Sequence, residues 1–432
     1  MPLSRAQLHP ADQGRTPLRP LAVLVPLATL ALASMPVHAA DTDKVTVAER
    51  FHQSNPAARI ETGGWRLRPL AELRAGYNDN VQWRASGDNG SPELALRGSL
   101  EANRESGIAE WNLRGSFATT RYAEGDIRSA MNASASAGLV LRLSPLAELQ
   151  AGAGYDQVRE PVSANGIEID GAWVNYRDFP DVERIPLSLN LTVRHGRFSL
   201  EVAGTSLRSS FDDLVTTTGL TVSQDFRSGW ENELRTRATW SAHEALEAFV
   251  EAELGFERYD NTAANADSYS IAIGTLFEPH PLLRAQLLAG FAHQDYPIAD
   301  GASGLVFEGQ LTWYMSPLVT VTLDAARAFR GNVVTDTSGT FSTEPATSDR
   351  IGLAADWEPL RRLLVSLQAA WIVDETESGN RRDTAFSVGL KAHYAVTNRL
   401  HGHIGIEHWS GQSSIIGDVS RNWISVGLST PY

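Results

Sequence analysis

The sequence predicts an all-β fold, a transmembrane antiparallel β-barrel of about 18 strands with periplasmic chain ends and long extracellular loops. Three observations predict it. The chain ends on a strand (ISVGLSTPY) that alternates apolar and polar residues and stops on an aromatic. From residue 69 onward, segments of roughly ten residues repeat that alternation. The connections between these segments are alternately short and long, as in bacterial barrels.

In the last strand Ile424, Val426, Leu428, Thr430 and Tyr432 fall on one face, and Trp423, Ser425, Gly427 and Ser429 on the other. Successive side chains of a strand point to opposite faces, so one face suits lipid and the other a lumen. Tyr432 is the expected terminal assembly signal. Residues 185–194 place Ile185, Leu187, Leu189, Leu191 and Val193 against Ser188, Asn190, Thr192 and Arg194. Residues 246–256 place Leu246, Ala248, Val250, Ala252, Leu254 and Phe256 against Glu247, Glu251 and Glu253.

Short turns are expected at 103–107, 144–145, 195–196, 241–244, 278–281, 316–317, 358–361 and 397–398, several of them as x-Pro-Leu. Proline suits a turn because it cannot donate to a ladder. Long polar connections are expected at 79–92, 123–129, 159–184, 211–228, 260–267, 296–303, 331–348, 376–382 and 411–420. Nine long loops give eighteen strands, and sixteen is the competing count because residues 214–226 are ambiguous. Trp240, Trp313, Trp357 and Tyr394 stand at the periplasmic strand ends, where an interfacial aromatic girdle belongs.

Ahead of the barrel, Arg5, Arg15 and Arg19 precede the uncharged stretch LAVLVPLATLAL and then Val37-His38-Ala39. This order reads as a secretory signal peptide over residues 1–39. Its apolar core of about a dozen residues is shorter than the ~20 a spanning helix needs; a retained anchor is the alternative. Residues 40–64 are polar without sustained period and read as a periplasmic extension, and 65–432 as the barrel.

Mean hydropathy is −0.21, which excludes a helical membrane bundle but not a barrel, whose apolar residues hide in alternate positions. Removing the three arginines and one aspartate of the signal takes the formal charge from −14 to −16. That excess of acid argues against nucleic acid as a partner. The absence of cysteine removes disulfides, thiolate metal sites and cysteine nucleophiles.

The opening stretch GGWRLRPLAELRAGYNDNV (63–81) resembles the first strand of the second putative β-barrel porin family, which runs Gly-x-x-x-x-x-Pro into a strand ending Tyr-Asp/Asn-x-Asn. Arg or Asp at the head of descending strands (Arg128, Arg177-Asp178, Arg227, Asp349-Arg350, Arg382-Asp383, Arg421) recurs there too. The resemblance covers roughly residues 60–432. It implies a bacterial outer-membrane barrel, in a group often associated with exopolysaccharide production and export, and brings no catalytic residues with it.

Four constellations could carry function. His393 lies across a hairpin from His401 and His403, with Glu407 further along the same face, a set that could hold zinc or nickel or simply line the lumen. Glu247, Glu251, Glu253 and Glu257 face Glu231, Glu233, Arg235 and Arg237 on the preceding strand. Acids and bases across a pore make a transverse field, and an acid excess favours cations; cross-strand ion pairing that fills the lumen is the compatible alternative. Trp173, Tyr176 and Phe179 in the 159–184 loop could stack on sugars, or belong to an ordinary exposed loop. Ser241 with His243, and His293 with Asp295, are the nearest approach to hydrolase groups, and the common hydrolase, nucleotide and zinc-protease motifs are absent.

The reading is therefore a porin-like passive conduit without cofactor, plausible in an exopolysaccharide export setting, whose partners are outer-membrane lipids, the barrel-assembly machinery and a polysaccharide or export complex. A plugged barrel acting in surface recognition or as a hydrolase is the alternative.

Overall fold

The computed structural model describes residues 3–4, 45–55, 59–81, 90–124, 129–159, 166–169, 172–175, 180–216, 218–225, 227–297, 300–335, 341–376, 382–413 and 417–431. Residues 1–39, which the sequence reads as a signal peptide, lie outside them apart from Leu3–Ser4, which pairs with Asn332 and Val333. Tyr432, Tyr176 and Phe179 also lie outside, and of Trp173 the backbone alone is described.

Eighteen antiparallel strands form one closed barrel: β1 (Trp65–Asn78), β2 (Ser91–Ser106), β3 (Ala109–Tyr122), β4 (Ala130–Ser144), β5 (Ala147–Arg159), β6 (Asp181–His195), β7 (Phe198–Phe211), β8 (Gly229–His243), β9 (Leu246–Tyr259), β10 (Ala266–His280), β11 (Leu283–Asp295), β12 (Ala302–Ser316), β13 (Val319–Thr335), β14 (Phe341–Leu360), β15 (Leu363–Thr376), β16 (Arg382–Thr397), β17 (Leu400–Ser413) and β18 (Gly417–Ser429). Each strand pairs with its neighbours in sequence, and β18 closes on β1 from Trp423↔Asn78 to Ser429↔Glu72. Closure removes the open edge that lipid cannot solvate. The alternation is as expected: Ile424, Val426 and Leu428 are exposed on the outer wall, while Trp423, Ser425, Gly427 and Ser429 are buried inside. Trp240, Trp313, Trp357 and Tyr394 all stand on the outer wall.

Every short connection is a two-residue turn, and its chemistry follows from its residues. Gly107 and Gly196 hold positive φ (59°) at the first turn position, and their ladders run to the turn without interruption. Such turns match the twist of the strands directly. Pro145, Pro281 and Pro317 cannot adopt positive φ, and their hairpins carry an irregularity beside the turn, as do the three whose turn residues are neither Gly nor Pro. At the proline turns the preceding Ser144, His280 or Ser316 accepts a hydrogen bond from the backbone N–H two residues on, at 3.1–3.2 Å.

The ambiguous stretch resolves as a ribbon, Leu214–Val215 with Thr221–Val222, outside the barrel ladder. Eighteen is thus the strand count. The expected loops at 331–348 and 411–420 are shorter than read. β13 and β14 stay paired out to Thr335↔Phe341, past Arg327, where pairing with β12 ends. Ser413 and Gly417 likewise continue the β17–β18 ladder. These segments are rich in Gly, Ser and Thr, so nothing in their composition distinguishes extended ladder from loop.

Residues 40–64 also hold more order than their composition suggests. Helix α1 (Val47–Ser54) begins with a capping box: Thr46 Oγ1 accepts from the Glu49 N–H at 3.2 Å, and Glu49 accepts from the Thr46 N–H at 2.9 Å. Val47 and Phe51, one helical turn apart, bury against Leu364 and Ala395 at the periplasmic ends of β15 and β16. The Val47 N–H donates to Thr320 Oγ1 at 3.1 Å, and Arg50 pairs with Glu358 at 2.7 Å. A short strand, Ile60–Thr62, then pairs with Trp65–Leu67 and leads into β1.

Candidate functional site: two inward faces of the barrel

The first inward face surrounds the closing seam. β18 and β1 share seven register pairs, against thirteen between β1 and β2. Two interactions reinforce this short ladder by reaching across a whole strand. The His403 ring on β17 passes over Gly427 of β18, and its Nε2 lies 3.3 Å from Glu72 Oε1 on β1. Trp423 on β18 passes over Gly76 of β1 and donates its indole N–H to Glu93 Oε1 on β2 at 2.8 Å. Both crossings need glycine. A Cβ on Gly427 would lie 2.4 Å from His403 Nε2, and one on Gly76 would lie 3.3 Å from Trp423 Nε1. Arg74 adds a charge 3.5 Å from Glu93 and stacks over the Trp423 ring at 4.6 Å.

The histidine set belongs to this face. His393 pairs in register with His403, their ring centroids 5.7 Å apart, and His401 pairs with Ala395. His401 is fully buried and meets Phe51 of α1 at 6.2 Å between ring centroids. Glu407 turns away to form a close ion pair with Arg421. The three imidazoles share a face as expected, yet among the described residues no three His, Asp or Glu side chains are placed to hold a metal ion.

The second inward face is the wall formed by β7, β8 and β9. Register places Arg237 opposite Glu251, Arg235 opposite Glu253 and Glu231 opposite Glu257. Arg237 engages Glu251 at 2.6–2.7 Å and covers the buried Phe249 ring at 4.4 Å. Arg235 reaches diagonally to Glu201 on β7 at 3.1 Å and to Glu251 at 3.9 Å. Toward the extracellular end the same strands carry acid: Glu231, Glu233, Glu253 and Glu257, the last accepting from Tyr259 Oη at 2.9 Å. At the other end Glu247 accepts from Ser241 Oγ at 3.1 Å. Ion pairs thus occupy the middle of this stripe, and four glutamates stand above them.

The hydrolase-like neighbours have other tasks. His243 Nδ1 accepts from the Ala245 N–H at 3.2 Å and caps a turn. His293 lies on the outer wall, its Nδ1 2.6 Å from Ser303 Oγ and its Nε2 2.8 Å from Asp295 Oδ1. In the serine-hydrolase arrangement the serine faces Nε2 and the carboxylate Nδ1, the reverse of what is found here. Ser303 had no place in the sequence reading. It is one of several polar groups that take over the outer wall near the extracellular rim, with the pairs Arg208–Asp260 (2.9 Å) and Arg258–Asp267 (2.5 Å).

The match to the family described as "Putative beta-barrel porin 2" runs over residues 56–431. The chain belongs to that family. It is a porin-like barrel of the outer membrane. Comparison with curated protein sequences gives no match. Among solved structures, OccK1 (OpdK) of Pseudomonas aeruginosa is similar, with 10% identity over 84% of this chain and 98% of that one and a TM-score of 0.46. OpdK of the same organism with vanillate gives 12% identity, the same coverage and a TM-score of 0.47. The FrpB iron transporter of Neisseria meningitidis (F5-1 variant) gives 10% identity over 86% of this chain and 65% of that one, with a TM-score of 0.47.

Proposed function

We propose that this barrel is a passive conduit for polar solutes that prefers cations and carries out no covalent chemistry. The acid band of Glu231, Glu233, Glu253 and Glu257 on adjacent inward strand faces carries the reading. Acidic lining raises the local concentration of cations and excludes anions. Eighteen strands are enough to enclose an aqueous channel. The setting we propose is exopolysaccharide export, supported by the association of the family that the opening strand resembles. The chain would reach the outer membrane through a signal peptide cut after Ala39, with its lipids, the barrel-assembly machinery and a polysaccharide or export complex as partners, and with the extracellular loops as gate.

Helix α1 seated inside the barrel favours the second reading, a plugged barrel used in recognition. Recording purified protein in planar bilayers separates the two. The conduit gives discrete conductance steps whose reversal potential in a salt gradient has the sign of cation preference. A silent bilayer, or anion preference, would count against it.

A further inference from the structure

We infer that helix α1 is a displaceable constriction seated in the periplasmic mouth of the lumen. This rests on the conduit reading and adds the element that sets its width. Four of the largest fully buried side chains among the described residues meet at one place, Phe51 and Val47 of the helix and Leu364 and His401 of the wall, with Phe51 and Val47 each 1% exposed. The groups that receive the helix come from β13 (Thr320), β14 (Glu358), β15 (Leu364), β16 (Ala395) and β17 (His401). Each stands beside a short turn, so the seat spans five consecutive strands at the periplasmic rim. A helix is about 10–12 Å across with its side chains, and one lying on the inner wall of an 18-stranded barrel takes up much of the opening.

The seat is built for release as much as for docking. Both ring nitrogens of His401 are buried beneath Phe51 with no hydrogen-bond partner among the described residues. A buried polar group in that state is destabilising, and water entering the seat after the helix leaves would satisfy it. Apolar contact from Val47 and Phe51 and the Arg50–Glu358 ion pair favour the seated state, while the His401 ring favours the empty one. The segment before β1 crosses from the helix to the barrel without a disulfide, the chain having no cysteine.

That absence of cysteine also makes the test clean. Val47→Cys with Thr320→Cys puts one thiol on the residue whose backbone N–H meets Thr320 Oγ1 at 3.1 Å and the other in place of that hydroxyl, to be joined by oxidation or a short bis-thiol reagent. A second variant deletes residues 45–55. In planar bilayers the deletion is expected to raise unit conductance by about twofold or more, and the tethered protein to stay at the lower level without excursions. Equal conductance in deleted, tethered and unmodified protein would overturn the constriction and leave the conduit standing. Silence from all three, deletion included, would instead overturn the conduit. If the deleted chain does not assemble, the tethered protein is compared before and after reduction. Reduction should then restore excursions to a higher level, and an unchanged trace, or no cross-link in the assembled barrel, sinks the proposal.

Discussion

The seam and the β7–β9 wall close the same barrel with different chemistry. On the wall, guanidinium meets carboxylate: Arg235 and Arg237 share Glu251, and Arg235 also holds Glu201. At the seam the strand-crossing ties are an imidazole beside Glu72 and an indole N–H on Glu93, passed over glycine. The wall's partners sit on strands joined by hairpins or one loop, so the chain brings them together as it folds. The seam's partners are separated by 330 residues and meet when the last strand docks on the first. A wall of local ion pairs can form early, whereas the seam forms when the two ends of the barrel meet over a ladder of seven register pairs. Rings lying over glycine reach across it because no side chain of the intervening strand stands in their way.

The largest effects should separate the two regions by charge. Glu251→Ala removes the carboxylate shared by two arginines of low exposure, and breaking such a buried pair costs about 3–5 kcal/mol. Glu93→Ala deprives Trp423 of its acceptor and Arg74 of a neighbour 3.5 Å away, a loss of about 1–3 kcal/mol. Urea titration of the folded barrel in lipid, followed by tryptophan fluorescence and by heat-dependent gel mobility, should rank the wall variant as the less stable. An inverted ranking would mean that the seam, not the ionic wall, holds the barrel shut.

How far the sequence reveals these regions follows from the same separation along the chain. Alternation is a local property, so Glu231 to Arg237 and Glu247 to Glu257 could be placed on facing lumen surfaces from the period alone. The turns were legible because Pro and Gly act on their own backbone. The pairing of Trp423 with Glu93 and of His403 with Glu72 has no local trace. Gly427 and Gly76 read as ordinary small lumen residues, although each is the space another side chain occupies. Helix α1 did leave a signal, the Thr46-x-x-Glu49 capping box. Its apolar stripe is two residues, Val47 and Phe51, too short for a helical period to stand out. The long β13–β14 ladder was hidden for the opposite reason, since polar residues beyond the membrane lose the alternation that lipid imposes.

A smaller effect tests whether the strand crossing at the seam is as tight as the glycine implies. Gly427→Ala would place a Cβ 2.4 Å from His403 Nε2 and 2.8 Å from the Leu73 carbonyl oxygen. The imidazole can rotate away, at the loss of Glu72, but the carbonyl belongs to the ladder itself. Overpacking of this kind costs about 1–3 kcal/mol. On the outward face of β7, the nearest atom to a Cβ on Gly204 is the Glu233 carbonyl oxygen at 4.0 Å, so Gly204→Ala should leave the unfolding midpoint unchanged. Equal midpoints for the two alanine variants would show that His403 does not occupy the space over β18.

The smallest change in stability is expected from the most diagnostic functional variant. Glu231 and Glu257 stand directly opposite each other in the β8–β9 register, and like charges in that position are destabilising by about 0.2–1 kcal/mol. Closing the barrel does not require this pair, since the ion pairs lower on the same strands already join β7, β8 and β9. Glu231→Gln keeps the shape and removes one charge from the acid band. The unfolding midpoint should stay level or rise slightly, while the cation-to-anion permeability ratio from reversal potentials falls, by roughly twofold if the band governs selectivity. Greater stability with unchanged selectivity would assign the acid band to solvation of the lumen wall and leave ion preference to the seam and its helix.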